Sequence, residues 1–175
     1  MKVAYFSPLN PQRSGISDFS EELLPYLKKY LDIDLYVDNY KPNIISCDDY
    51  GVYNISDYEI KQDEYDISIF HVGNNFKYHK KIIDAFLKYG GILELHDISL
   101  HNYIAAETIE ANDPNKYIKL MKYSHGDTGE KVAKSYLNGQ IKSPWENNTL
   151  EYTVNKHLID KADCIIVHSD FAKQI

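Results

Sequence analysis

Histidines recur where a chain of alternating strands and helices would bring them near strand ends: His71, His79, His96, His101 and His168. Imidazoles dispersed in this way serve a polar ligand as hydrogen-bond partners, or an ion as ligands. The spacing disfavours the ion, because His96 and His101 are not the i, i+4 pair of a zinc-binding helix and no other ligand pattern surrounds them. His96 is followed directly by Asp97. A carboxylate beside an imidazole can orient it and raise its basicity, as a general base or positioning group requires. Alternatively Asp97 caps a helix that starts near Ser99, and both roles can hold at once. A second candidate is Arg13-Ser14-Gly15-Ile16-Ser17, a single glycine ahead of a helix. Free N–H groups there can hold a phosphate or a sugar hydroxyl, and an ordinary strand–helix turn would look the same. The three-glycine dinucleotide fingerprint and the phosphate-binding GxxxxGK[ST] are both absent, which disfavours NAD, FAD and nucleotide-triphosphate chemistry of those kinds. There is no GxSxG elbow either.

These residues need a scaffold, and the hydrophobic pattern supplies one. Val3–Phe6, Ile33–Val37, Ile67–Val72, Ile92–Leu95 and Cys164–Val167 read as strands, with a weaker one near Val52–Ile55. Phe19, Leu23, Leu27 and Leu31 give a helix face, with Ser17 as its expected N-cap and Pro25 interrupting it. His79, Ile82, Ile83, Phe86 and Leu87 give another, closed by Gly90. Residues 99–145 read as helical, over Leu100–Ala111, Lys116–Ser124 and Glu130–Leu137. A capping box at Asn148-Thr149-Leu150-Glu151 opens a helix carrying Leu150, Val154 and Leu158. Strands separated by helices predict an α/β fold, a Rossmann-like parallel sheet with helices on both faces, whose ligands lie at the carboxyl ends of the strands.

The 175 residues suit one domain, residues 1–175, with a helical insertion over about 99–160. Hydrophobic residues make up 43% and charged ones 26%, a globular balance. The net charge of −7, with no extended basic run, argues against a nucleic-acid partner. Cys47 and Cys164 stand far apart with no CxxC, as free thiols of a reducing compartment do. No leader pattern and no membrane-length apolar stretch occur, so the expected address is cytoplasmic and the sequons at Asn54 and Asn147 are accidental. The sixteen tyrosines are read as composition bias before sugar stacking.

Taken together, four segments resemble glycosyltransferase family 4. They are Ser7-Pro8-Leu9-Asn10-Pro11-Gln12-Arg13-Ser14-Gly15-Ile16-Ser17-Asp18-Phe19-Ser20 with Leu23-Leu24-Pro25; His71-Val72-Gly73-Asn74-Asn75 with His79; Leu95-His96-Asp97-Ile98-Ser99-Leu100-His101; and Ala162-Asp163-Cys164-Ile165-Ile166-Val167-His168-Ser169. They occur in the family's order across nearly the whole chain. The resemblance implies the N-terminal, acceptor-side half of a GT-B enzyme that transfers a sugar with retention from a nucleotide-sugar to a glycan, lipid or other acceptor. It implies no cofactor and no catalytic metal. By position, Gly15 and Ile16 would approach the donor phosphates and His96 the donor sugar, with Asp97 beside it as a second catalytic candidate. Asn74, Asn75, His79, His101 and Ser169 would line or brace the sugar and acceptor side. The partners implied are the nucleotide-sugar, the acceptor and a second, donor-binding domain. The full enzyme would associate with a membrane surface, and the isolated half would self-associate. The chain stops at Phe171–Ile175, inside an expected helix, which reads as a cut that leaves this half inactive alone. A non-catalytic α/β small-molecule-binding module is the competing reading; it would share the fold without the ordered motifs.

Overall fold

The computed structural model describes every residue except Ser46, Asn148 and Ile175, and every side chain but those and that of Asn147. Six strands build one sheet: β1 (Lys2–Phe6), β2 (Asp32–Val37), β3 (Gly51–Asn54), β4 (Ile67–Val72), β5 (Ile92–Leu95) and β6 (Cys164–Val167). Their spatial order is β3-β2-β1-β4-β5-β6 and every pairing is parallel. Strands such as Val3-Ala4-Tyr5-Phe6 are apolar without alternation because a parallel sheet is covered on both faces. The chain order reverses between β1 and β4, which makes their carboxyl ends the switch point of a Rossmann-like sheet.

Successive side chains of a strand point to opposite faces. On one face α1 (Gly15–Leu27) packs through Leu24 onto Val3, Tyr5, Ile33, Leu35 and Ile69. Tyr5 Oη also donates to Ser20 Oγ at 3.1 Å. On the other face Phe6 stacks on Tyr36 and Phe70 at 4.7 and 4.2 Å. There α2 (Tyr58–Lys61) places the Tyr58 ring edge-on to Phe6, and α3 (Phe76–Tyr89) places Phe86 against Phe70. Much of the tyrosine content is therefore core. Several of its hydroxyls are paired, as with Tyr58 Oη and Ser68 Oγ at 2.6 Å and Tyr5 Oη and Ser20 Oγ at 3.1 Å, which is what burial of a phenol favours.

The helix boundaries correct the sequence in two places. The N-cap of α1 is Ser14, not Ser17: Ser14 is extended and its Oγ accepts the Ser17 N–H at 3.1 Å. Ser17 is buried and donates its own hydroxyl to the Gln12 carbonyl at 2.6 Å, so it ties the preceding loop down instead. The second correction is the helix expected from Asn148 onward. Asn148, which the capping-box and sequon readings share, lies outside the described residues, and the helix there, α7, covers only Lys156–Ile159. The backbone before it is used elsewhere: the Tyr152 carbonyl accepts from His101 Nδ1 and the Thr153 carbonyl from Leu100 N–H. Val154 sits at φ +51°, which excludes a continuous helix.

The chain divides into two compact units. One comprises residues 1–72, 78–96 and 162–168 and contains the whole sheet. The other comprises residues 73–77, 97–161 and 169–175 and is helical. It contains α4 (His101–Ala105), a π-helical turn over Ala106–Glu110, α5 (Pro114–Leu137), α6 (Pro144–Asn147), α7 and α8 (Asp170–Gln174). The two helices expected at Lys116–Ser124 and Glu130–Leu137 are joined into α5 through a break at His125 and Gly126, where φ +62° favours glycine. Among the described residues no helix is long and apolar enough to cross a membrane.

Candidate functional site

The parallel register of the sheet gathers four polar side chains on the face that α1 covers. His71 on β4 pairs with Glu94 on β5, and Glu94 pairs with Ile166 on β6. Two residues further along, on the same face by the pleat, come His96 and His168. His71 Nε2 lies 3.5 Å from Glu94 Oε2, His96 Nε2 lies 3.8 Å from Glu94 Oε1, and His168 Nε2 lies 3.5 Å from Glu94 Oε1. His71 Nδ1 and His96 Nε2 share a hydrogen bond of 3.0 Å. Phe19 of α1 closes the group from above, edge-on to His96 at 4.9 Å and to His168 at 5.1 Å. His79 stands behind it, its Nδ1–H donating to the His71 carbonyl at 3.2 Å.

Burial sets the charges. It pushes Glu94 up to about 7 and His96 down to about 4, and it holds His71 well below the ordinary histidine value. At neutral pH His96 is consequently a neutral imidazole, suited to a hydroxyl and poorly suited to neutralising a diphosphate. Its Nε2 is taken by His71, which leaves Nδ1 for a ligand. His71 Nε2 is sealed from solvent and makes no hydrogen bond among the described residues. His71, Glu94 and His96 each offer an atom within 4.8 Å of the others, so these three could also hold an ion.

The loop between β1 and α1 belongs to the same unit and is pinned along its length. Leu9 is buried and its N–H donates to Tyr40 Oη at 2.9 Å, and the Asn10 N–H donates to Glu21 Oε1 at 2.9 Å. Gly15 begins the first turn of α1, exposed, and a Cβ there would meet nothing within 4 Å. The fold therefore gives no steric reason for glycine at that position. Gly15 precedes Phe19 by one helical turn, about 6 Å, and Phe19 touches His96. Ile16 beside it is half-buried.

The remaining candidates belong to the helical unit. Asp97 does not cap the helix that follows: α4 begins without a side-chain cap, and Asp97 Oδ2 accepts the Asn74 N–H at 2.7 Å. Asn74 Oδ1 in turn accepts the Tyr103 N–H at 2.9 Å. Asp97 and Asn74 thus brace one another's segments, and the carboxylate that faces His96 is Glu94. Asn75 is exposed and accepts from Lys77 N–H. His101 is buried with both nitrogens engaged, Nδ1–H donating to the Tyr152 carbonyl at 2.7 Å and Nε2 accepting from Tyr117 Oη at 2.8 Å. That is a brace with no free group for a ligand. Ser169 Oγ accepts the Ala172 N–H at 3.1 Å, as a helix cap does.

Glu94 and Phe19 are the residues that sequence reasoning passed over. The signal for Glu94 was present: a carboxylate inside the four-residue apolar strand Ile92-Leu93-Glu94-Leu95 is out of place unless it has buried partners. Phe19 read as one more apolar position of α1, and nothing local distinguished it. No protein-family model, no curated protein and no solved structure matches the chain.

Proposed function

We propose that the chain is the acceptor-side, N-terminal half of a retaining GT-B glycosyltransferase, acting with a second, donor-binding domain. The observation that carries the reading is where the four family-4-like segments fall. Each follows or closes a strand of one parallel sheet, at β1, β4, β5 and β6, and such sheets take their ligands at the carboxyl ends of strands. In this reading a neutral His96 presents Nδ1 to a sugar hydroxyl near the reacting centre. Glu94 and His71 hold its ring, and Asp97 with Asn74 fixes the loop that follows it. Gly15 and Ile16 at the start of α1 let the donor phosphates approach the helix N-terminus, where backbone N–H groups stabilise the departing diphosphate. His79 supports the His71 backbone; within the helical unit Asn75 and Ser169 are the exposed candidates for acceptor contacts, and His101 braces the segment at Tyr152. No cofactor takes part; the nucleotide-sugar is a substrate.

The test compares two chains over a panel of nucleotide-sugars. The 175 residues alone are expected to give neither transfer nor tight donor binding, because most donor contacts belong to the other domain. The same chain continued through its natural downstream sequence is expected to transfer sugar. Robust turnover by the 175 residues overturns the assignment of halves. Sugar binding without transfer by the continued chain would favour a non-catalytic binding module instead.

A further inference from the structure

We propose that His71, Glu94 and His96, with His168 as a fourth side chain, form a binding site for a divalent transition ion of the zinc class. The site stands on sheet geometry and does not rest on the sugar-transfer reading.

Three neighbouring strands supply the ligands. Parallel strands lie about 4.8 Å apart, so side chains paired on one face converge if they are long enough to lean together. Here they do: one ligand atom from each of His71, Glu94 and His96 lies within 4.8 Å of the others. A tetrahedral zinc site with bonds of about 2.0–2.1 Å sets its ligand atoms about 3.3 Å apart. The separations between imidazole nitrogen and Glu94 oxygen are 3.5, 3.8 and 3.5 Å for His71, His96 and His168. His71 faces Oε2 of Glu94, whereas His96 and His168 face Oε1, so the carboxylate spans the group with both oxygens and side-chain rotation is needed to gather the ligand atoms around one ion. These distances are too long for good hydrogen bonds, and they approximate the separations of ligands around an ion.

The second observation is His71 Nε2. His71 has no exposed surface, and this nitrogen makes no hydrogen bond among the described residues. A buried polar atom in that state is costly and rare in folded proteins, and an ion would satisfy it. The His71 ring is orientated by packing on Tyr5 at 4.3 Å, and His96 Nε2, which shares a hydrogen bond with His71 Nδ1, exchanges that bond for the ion when it ligates. Phe19 limits water on the α1 side. Imidazole nitrogens with one carboxylate suit zinc, cobalt or nickel, whereas magnesium and calcium prefer all-oxygen shells. The ligand set contains no thiolate. Cys164 opens β6 four residues before His168, about 13 Å along the strand, and is exposed.

The experiment uses the metal-stripped 175-residue chain and titrates it with cobalt(II), whose visible absorption reports low coordination, followed by displacement with zinc. The expected result is one saturable cobalt ion per chain, low-coordinate in its spectrum, displaced by stoichiometric zinc. Zinc should also raise Tm. Glu94→Gln should weaken cobalt binding by about a hundredfold and His168→Ala by at least about tenfold, since loss of a ligand should cost at least what loss of an orienting partner does. Cys164→Ser should bind as the unaltered chain does. If Glu94→Gln fails to fold, the partly exposed His96 and His168 still allow a decision through His96→Ala and His168→Ala, both of which must weaken binding. The proposal is overturned by an absence of saturable binding at micromolar metal, by binding that survives those substitutions, or by binding that Cys164→Ser abolishes.

Discussion

Each unit of the chain buries a histidine centre, and the two are built in opposite ways. In the helical unit His101 has a carbonyl on one nitrogen and a phenol on the other, with the Trp145 and Tyr117 rings packed beside it. Both of its ring nitrogens are satisfied. In the sheet unit Glu94 faces three imidazoles at 3.5–3.8 Å, and His71 Nε2 makes no hydrogen bond among the described residues. The first arrangement stabilises one conformation. The second is polar, confined and incompletely paired, as expected of a site whose partner comes from outside the fold. Residue type alone does not separate them; the count of satisfied atoms does.

The comparison breaks most easily at His101. His101→Ala would leave the Tyr117 hydroxyl and the Tyr152 carbonyl without their partner and open a cavity, costing about 3 kcal/mol. For a chain of this size that lowers Tm by roughly 6–12 °C. A variant melting with the unaltered protein would remove the structural role assigned to this centre.

Glu94 gives the next largest effect, and its sign is distinctive. The folded value of about 7 lies above the ordinary carboxylate value, so the proton stabilises the fold. That contribution is complete below about pH 4.5 and is lost as the pH rises through about 7. Gln mimics the protonated form. In EDTA, Glu94→Gln should therefore gain on the unaltered chain by about 2 kcal/mol between pH 5 and pH 8, after allowance for solvent screening. Urea midpoints across that range check it, and parallel profiles would mean that Glu94 is not the strained group.

His96 should reverse the pattern of His101. On the proposed function, with the chain joined to a donor-binding domain, His96→Ala is expected to lower kcat/KM at least tenfold, about 1.4 kcal/mol of transition-state stabilisation. Its Tm should fall by no more than a few degrees, because the ring is partly exposed at the sheet edge. A destabilised variant with unchanged kinetics would move His96 into the same class as His101. The smallest effect on stability is expected at Gly15. Gly15→Ala should leave Tm within about 2 °C, since its Cβ meets nothing, and on the proposed function it should raise KM for the nucleotide-sugar several-fold. An unaffected KM would mean that no ligand approaches that turn.

Much of the sheet was legible because its signals are local. Val3–Phe6, Ile67–Val72 and Ile92–Leu95 announce themselves as apolar runs ended by proline, glycine or a polar pair, and parallel strands need no partner to look apolar. Helix ends were less legible. Ser14 and Ser17 are equally good caps by type, and only the loop pinned through Gln12, Asn10 and Glu21 selects between them. The failed helix before Lys156 has the same cause: its carbonyls at Tyr152 and Thr153 accept hydrogen bonds from His101 Nδ1–H and the Leu100 N–H, about fifty residues earlier in the chain.

The sequence by itself determined the α/β architecture, the strand-end positions of His96 and Gly15, and the absence of a dinucleotide fingerprint. All of these depend on periodicity and spacing over a few residues. What only the tertiary structure decided is which groups meet. Asp97 is adjacent to His96 in the chain, yet it is Asn74 that Asp97 holds, while Glu94 faces His96 because the pleat returns the same strand face two residues later. His71 and His168 join them through register between neighbouring strands, across separations of 23 and 74 residues from Glu94 that no local pattern encodes.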